Sequence, residues 1–568
     1  MALYPGFWSG RLVAVVVAAS QVLIVGACSQ EPDDTAIAIE GREIRAHMAF
    51  LADDLLEGRE AGTRGEALAA LYIRTQFEAL GLEPAGDGDS YLQTFRARAT
   101  TLEADSVAFR IDGPGGQRQF DNGVDIAVFG NPLEAEQTVA GAVVFAGAGI
   151  VAPEFGIDDY AGLDVAGKVV AVLGGPPAYL PAAEAAHFGS TDQQRREAEA
   201  RGAIGVIILW TDALEERFAF DRYQSILGRT DLDWLGPDGV PDRAAPGIRL
   251  RALIRGTAID ALFDGAPRSF AELVEEAQTA PPKGFDLATR ASLTRRSVHD
   301  DSLMAMNVAG LLPGGDPTLA DEVVVVTAHY DHVGIGTPVD GDAIYNGAGD
   351  NAYGTAVLIE VARRIAAQPG PPPRSILFLA VGAEEKGLIG SDYFAEHPTL
   401  ARERLVANIN IDGGLIYYDF ADVIGFGAEH SQMQERLEEA AGQLGLTVAP
   451  DPFPEQGIFT RSDQYSFVKR GIPAVFLFNG FTSTTGGTPG RDLWDLVITT
   501  RLHQPNDDMT QPFDYAAAAK LADVARRLTL ITATAPERPR WYDDSVFGQR
   551  FAPDAPKAAR PVSGVARD

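Results

Sequence analysis

The chain has 568 residues, 79 acidic against 47 basic side chains, a net charge of −32 and a single cysteine. That length predicts two or three domains, and 46% apolar with 22% charged residues marks a folded globular chain. The acidic balance argues against a phosphate-backbone partner, which needs clustered Lys and Arg. One cysteine excludes an intrachain disulfide and a thiolate cluster, so a metal site must draw on Asp, Glu and the eight histidines.

At the N-terminus Arg11 precedes an apolar run, Leu12 to Ala27, interrupted only by Ser20 and Gln21. The run is short for a bilayer span and fits the hydrophobic region of an export signal. It ends in Val25-Gly26-Ala27-Cys28, which resembles the lipobox of bacterial lipoproteins. That resemblance implies cleavage before Cys28, lipidation of its thiol, and tethering to the cell envelope, in the periplasm or at the outer membrane. A plain export signal would instead give a secreted chain. Residues 1–27 are thus expected to be a signal peptide and 28–40 a linker.

From Ile44 to Leu82 two helical patterns follow. In the second, Leu68, Leu71, Tyr72 and Thr75 share one face at helical spacing, which is expected to be buried. Short β-branched runs then alternate with Gly and Pro turns, among them Ala142 to Phe145, Lys168 to Leu173 and Ala203 to Leu209. They predict a smaller β-rich module over 118–290. From about 291 to 535 strands and helices alternate, predicting an α/β layer fold with a mostly parallel sheet. The larger body is therefore split in sequence, 41–117 and 291–535. Residues 536–568 lack periodicity and read as a tail, with Trp541 and Tyr542 as the residues able to pack back.

The chemistry-bearing residues sit where the strands of this last segment end. Val323 to Val326 leads into His329-Tyr330-Asp331-His332, and a Gly-rich turn carries Asp350 into a helix. Ser375 to Val381 leads into Glu384-Glu385, Leu405 to Ile411 into Asp412, and His503 lies beyond Pro473 to Phe478. Ligands of open α/β sheets bind at that edge. A pair of divalent ions needs a carboxylate able to bridge and terminal His and carboxylate ligands. It also needs a further carboxylate to take a proton from water. His329, Asp350, Glu385, Asp412 and His503 give the ligand count, and Glu384 is left as the base. Their spacings suit loops of a rigid sheet better than one helix.

These motifs resemble the dizinc aminopeptidase family, the co-catalytic zinc exopeptidases with a phosphorylase/hydrolase-like α/β/α fold. The resemblance rests on Ala328-His329-Tyr330-Asp331-His332, Gly347-Ala348-Gly349-Asp350-Asn351, Gly382-Ala383-Glu384-Glu385, Asn410-Ile411-Asp412 and His503-Gln504-Pro505-Asn506-Asp507, with Glu57-Gly58-Arg59 upstream. It implies two Zn2+, with Asp350 bridging, His329 and Asp412 on one ion, and Glu385 and His503 on the other. It further implies Glu384 as general base, Asp331 orienting His329, Asp507 helping to position His503, and a cis peptide between Asp350 and Asn351. The middle module resembles a protease-associated domain, carried by Asp159 to Val170 and the Ala203 to Leu209 strand.

The expected activity is removal of N-terminal residues from peptides. The same scaffold also supports carboxypeptidase and glutaminyl-cyclase-type reactions, and some relatives are non-catalytic receptor-like proteins. No Gly-x-Ser-x-Gly elbow or His-Glu-x-x-His motif occurs. Gly334-Ile335-Gly336 reads as a turn. His47, His187, His299, His397 and His430 read as structural or exposed, and His332 lies near the site without an assigned role.

Overall fold

The computed structural model describes residues 34–217, 219–221 and 229–561. The expected signal segment and Cys28 lie outside them. Helix Asp34–Leu51 starts inside the stretch read as a linker. Among the described residues no helix is long and apolar enough to cross a membrane.

The main sheet is mixed. Its four central strands, Ser375–Val381, Val323–His329, Leu405–Asn410 and Ala474–Asn479, run parallel in that spatial order. Strands Phe285–Leu312 and Asp422–Phe426 flank them antiparallel. Every residue of the four central strands is buried, as expected of parallel strands covered on both faces.

Successive residues serve opposite layers. Val324, Val326, Ile376 and Phe378 pack into one core with helices Asp34–Leu51, Arg64–Ala79, Tyr353–Ala366 and Tyr515–Thr534. Val323, Val325, Leu377 and Leu379 pack into a second core with Phe394 and Phe467. The period of two along each strand thus builds an α/β/α sandwich.

Strand Phe285–Leu312, 28 residues long, joins this sheet to a second one. Its first half pairs with Ala108–Gly113 and Glu136–Phe145, and its second half with Leu92–Leu102. The second sheet continues in parallel through Val169–Leu173, Gly205–Leu209 and Leu250–Ile254 and has its own core around Phe109, Phe145 and Ile207.

Three expectations change. In helix Arg64–Ala79 the buried face is Ala69, Ala70, Ile73 and Phe77, while Leu71 is exposed. Small alanines let that helix approach the sheet, and Tyr72, half-buried at the edge of that core, stacks on Phe50 at 4.0 Å between ring centroids. Gly334 opens a strand, Gly334–Val339, that pairs with Asp342–Tyr345. The stretch read as a tail is fixed to the body: Trp541, Tyr542 and Phe547 are buried, and Trp541 Nε1 donates to the Gly471 carbonyl at 2.8 Å.

Candidate metal centre

The carboxyl ends of the parallel strands deliver the predicted residues to one place. His329 is the last residue of its strand and is buried. Its Nε2 lies 2.9 Å from Asp412 Oδ1 and 3.2 Å from Asp350 Oδ1. Across the site His503 Nε2 lies 3.2 Å from Asp350 Oδ2 and 3.0 Å from Glu385 Oε2. Asp350 therefore turns each of its oxygens to a different imidazole. The peptide following it, Asp350–Asn351, is cis. The Asn351 side chain accepts from Gly354 N at 2.8 Å and from Gly413 N at 3.0 Å, tying the Asp350 loop to the one carrying Asp412.

Two supporting carboxylates also hold backbone amides of the site loops. Asp331 accepts the backbone N–H groups of Glu384 and Glu385 at 3.0 and 3.2 Å. Its carboxylate stands 3.8 Å from His329 Nδ1, which lies nearer its carbonyl oxygen at 3.3 Å. Asp331 thus fixes the Glu384-Glu385 turn, which the left-handed Ala383 (φ 57°) begins. Asp507 accepts Gly349 N at 2.9 Å and Asp350 N at 3.0 Å, holding the Asp350 loop.

Sequence reasoning gave no role to three contributors. Arg59 is fully buried, and its guanidinium donates to the carbonyls of Tyr330 (2.8 Å), Asn346 (2.6 Å), Gly347 (3.0 Å) and Leu51. It ties the His329 strand end to the loop before Asp350. Ser462 donates its hydroxyl to Asp412 Oδ2. His332, also buried, brings Nδ1 to 2.8 Å from Glu385 Oε1. Arg59 lies in a quoted motif and His332 beside one, which was the available signal; Ser462 had none, and all three contacts depend on the folded loops.

Charge is concentrated here. Burial pulls His329 down, but Asp412, Glu384, Asp331 and Asp350 outweigh it and hold the imidazole well above its ordinary range. Burial likewise opposes His503, and Glu385 and Asp350 raise it. Glu385 falls to about 2 because His503 and His332 overcome burial and the like charge of Asp350. Burial pushes Glu384 well above the usual carboxylate range; His329 opposes this, while Asp412 and Glu385 reinforce it.

The donor chemistry fits divalent cations. His329, Asp350 and Asp412 offer ligand atoms within 4.8 Å of one another, and His332, Asp350 and Glu385 do the same. Imidazole with carboxylate oxygen is a zinc-compatible set. The centre opens into a cavity of 690 Å³ whose apolar wall includes Ile458, Phe476, Phe478 and Trp494, and Glu215 of the second sheet's module also lines it.

The sequence from 307 to 529 matches Peptidase family M28. All the ligand candidates fall inside the matched segment, whereas Arg59 reaches it from upstream. The chain is 25% identical over 336 residues to Leupeptin-inactivating enzyme 1 of Streptomyces exfoliatus, covering 55% of this chain and 68% of that protein. It is 38% identical over 92 residues to Aminopeptidase YwaD of Bacillus subtilis, covering 16% of this chain and 18% of that one. Its fold overlays an aminopeptidase from Aneurinibacillus sp. strain AM-1 with a TM-score of 0.49 at 19% identity, covering 88% and 95% of the two chains.

Proposed function

We propose that the chain is a zinc-dependent aminopeptidase that removes N-terminal residues from peptides with two zinc ions at this centre. The observation that carries the reading is Asp350, whose two oxygens each lie 3.2 Å from a different histidine. A pair of ions about 3.5–4 Å apart requires a carboxylate so placed. His329, Asp350 and Asp412 would hold one ion, and Asp350, Glu385 and His503 the other. Bound there, zinc would supply Lewis-acid polarisation of the scissile carbonyl and acidify a water.

The remaining steps belong to the chain's own side chains. Glu384 takes the proton from the attacking water and passes it to the leaving amine nitrogen, so that it ends the cycle ionised. Asp331 holds the backbone of that residue in place. Burial favours protonated Glu384, and a neighbouring cation draws it back to the carboxylate. The surplus of carboxylates offers a counter-charge to a free α-ammonium, which favours substrates with an unblocked N-terminus. The name of the similar Aminopeptidase YwaD supports this choice.

Residues 118–290 are proposed as a protease-associated module walling the cavity through Glu215. The Val25-Gly26-Ala27-Cys28 motif supports export with a lipid anchor at Cys28. Glu384→Gln tests the catalytic reading: it should keep wild-type zinc content and lose about 10²–10⁴-fold in kcat. Near-normal turnover would remove Glu384 from its role as base.

A further inference from the structure

Each terminal carboxylate of the centre divides its two oxygens. Asp412 turns Oδ1 to His329 Nε2 at 2.9 Å, and its Oδ2 takes the Ser462 hydroxyl. Glu385 turns Oε2 to His503 Nε2 at 3.0 Å, and its Oε1 stands 2.8 Å from His332 Nδ1. His332 is fully buried, and neither ring nitrogen, nor Glu385 Oε1, meets any other polar partner. Three buried polar atoms in that condition call for a role, since such atoms are rarely left alone. The ring has little room to turn away: a Cβ on Gly347 would lie 2.5 Å from His332 Cγ. The His332 backbone N–H donates to the Arg59 carbonyl at 3.3 Å.

We propose that His332 is a positioning residue of the metal centre: it holds Glu385 Oε1, so that Oε2 alone faces the second ion. The proton then resides on Nδ1. Ser462 does the equivalent for Asp412, and the two ions are served by differently held carboxylates. An unheld Glu385 could rotate or offer both oxygens, and ordering it would weaken binding of the second ion. The inference rests on the two-ion reading.

The test measures zinc dissociation constants of the full chain by chelator competition, with Co2+ absorption spectra alongside. His332→Leu fills the space without a donor, and His332→Asn places an amide nitrogen where Nδ1 stood. Leu should weaken the second ion by about 10–100-fold and leave the first unchanged, the usual effect of losing a partner behind a ligand. Asn should restore binding close to wild type with an unaltered Co2+ spectrum. Unchanged affinities in the Leu variant, or an Asn variant no better than Leu, would overturn the proposal. A changed Co2+ spectrum in the Asn variant would overturn it too, by making the ring a ligand. Should the Leu variant not fold, His332→Gln, whose amide reaches the Nε2 position, stands in its place against Asn. Wild-type protein binding fewer than two ions would instead sink the two-ion reading itself.

Discussion

The carboxylate of Asp331 accepts two backbone N–H groups, those of Glu384 and Glu385. In Asp331→Asn one of those donors meets an NH2 group and loses its partner. An unsatisfied buried donor costs about 1–3 kcal/mol, and here the loss falls on the turn that aims Glu384. The expected outcome is a lower unfolding free energy in urea together with a fall in kcat, while KM changes little; an unchanged kcat would contradict this placement of Asp331. The residue types of the centre were legible in the sequence because His, Asp and Glu follow buried strands in a fixed order. The partners of Asp331 and Asp507 were not. Each lies close in sequence to a histidine, and only the folded loops bring amide nitrogens to their oxygens as well. His332 shows the same limit, since it and Glu385 stand 53 positions apart in the chain.

The segment Asp54–Arg59 is the element on which the centre leans from upstream. Glu57, Gly58 and Arg59 all adopt left-handed backbone, with φ of 50, 70 and 52°, and this tight path lets the Arg59 guanidinium reach four carbonyls. Gly58 has no space for a side chain: a Cβ would stand 2.5 Å from the Tyr345 carbonyl oxygen and 2.6 Å from that of Gly334. Gly58→Ala should therefore destabilise the fold by about 1–3 kcal/mol through overpacking, read as a lower urea midpoint at unchanged slope. A midpoint equal to wild type would show that the hairpin Gly334–Tyr345 yields. At this scale the strands were readable, because runs of Val, Ile and Leu between turns are what a doubly covered parallel sheet needs. The buried face of helix Arg64–Ala79 was misread for a reason particular to it. Leu71 and Tyr72 are the larger apolar residues, yet Ala69 and Ala70 give the closer approach, and Phe77 fills the space left beside Gly310.

Across the whole molecule, strand Phe285–Leu312 and the segment after Thr534 connect parts far apart in sequence. Arg550 lies within ion-pair distance of Glu154 and Glu197, at 3.8 and 3.7 Å, while Phe547 packs beside Tyr465 of the main body. Such long-range packing leaves little periodic signal, so this stretch read as a tail. His187 sits in the same cluster, with Nδ1 2.6 Å from the Tyr465 hydroxyl. Burial, aided by Arg550 and Lys469, lowers His187 to about 3. A folded value below the unfolded one means that the unfolded chain binds the extra proton. The stability His187 gives is therefore complete above the unfolded value and is lost as pH falls from about 6.5 toward 3. The stability gap between wild type and His187→Phe should thus shift by about 2 kcal/mol against wild type between pH 7 and pH 5. Urea unfolding at both pH values measures it, and a constant gap would show His187 charged in the fold. The central claim concerns the reaction, and zinc titration of chelated protein tests it most directly, following hydrolysis of a free aminoacyl arylamide and its N-acetylated counterpart. The account predicts no activity after chelation, recovery that levels off at two zinc equivalents, and cleavage of the free substrate alone. Recovery complete at one equivalent, or equal cleavage of the acetylated substrate, would contradict it.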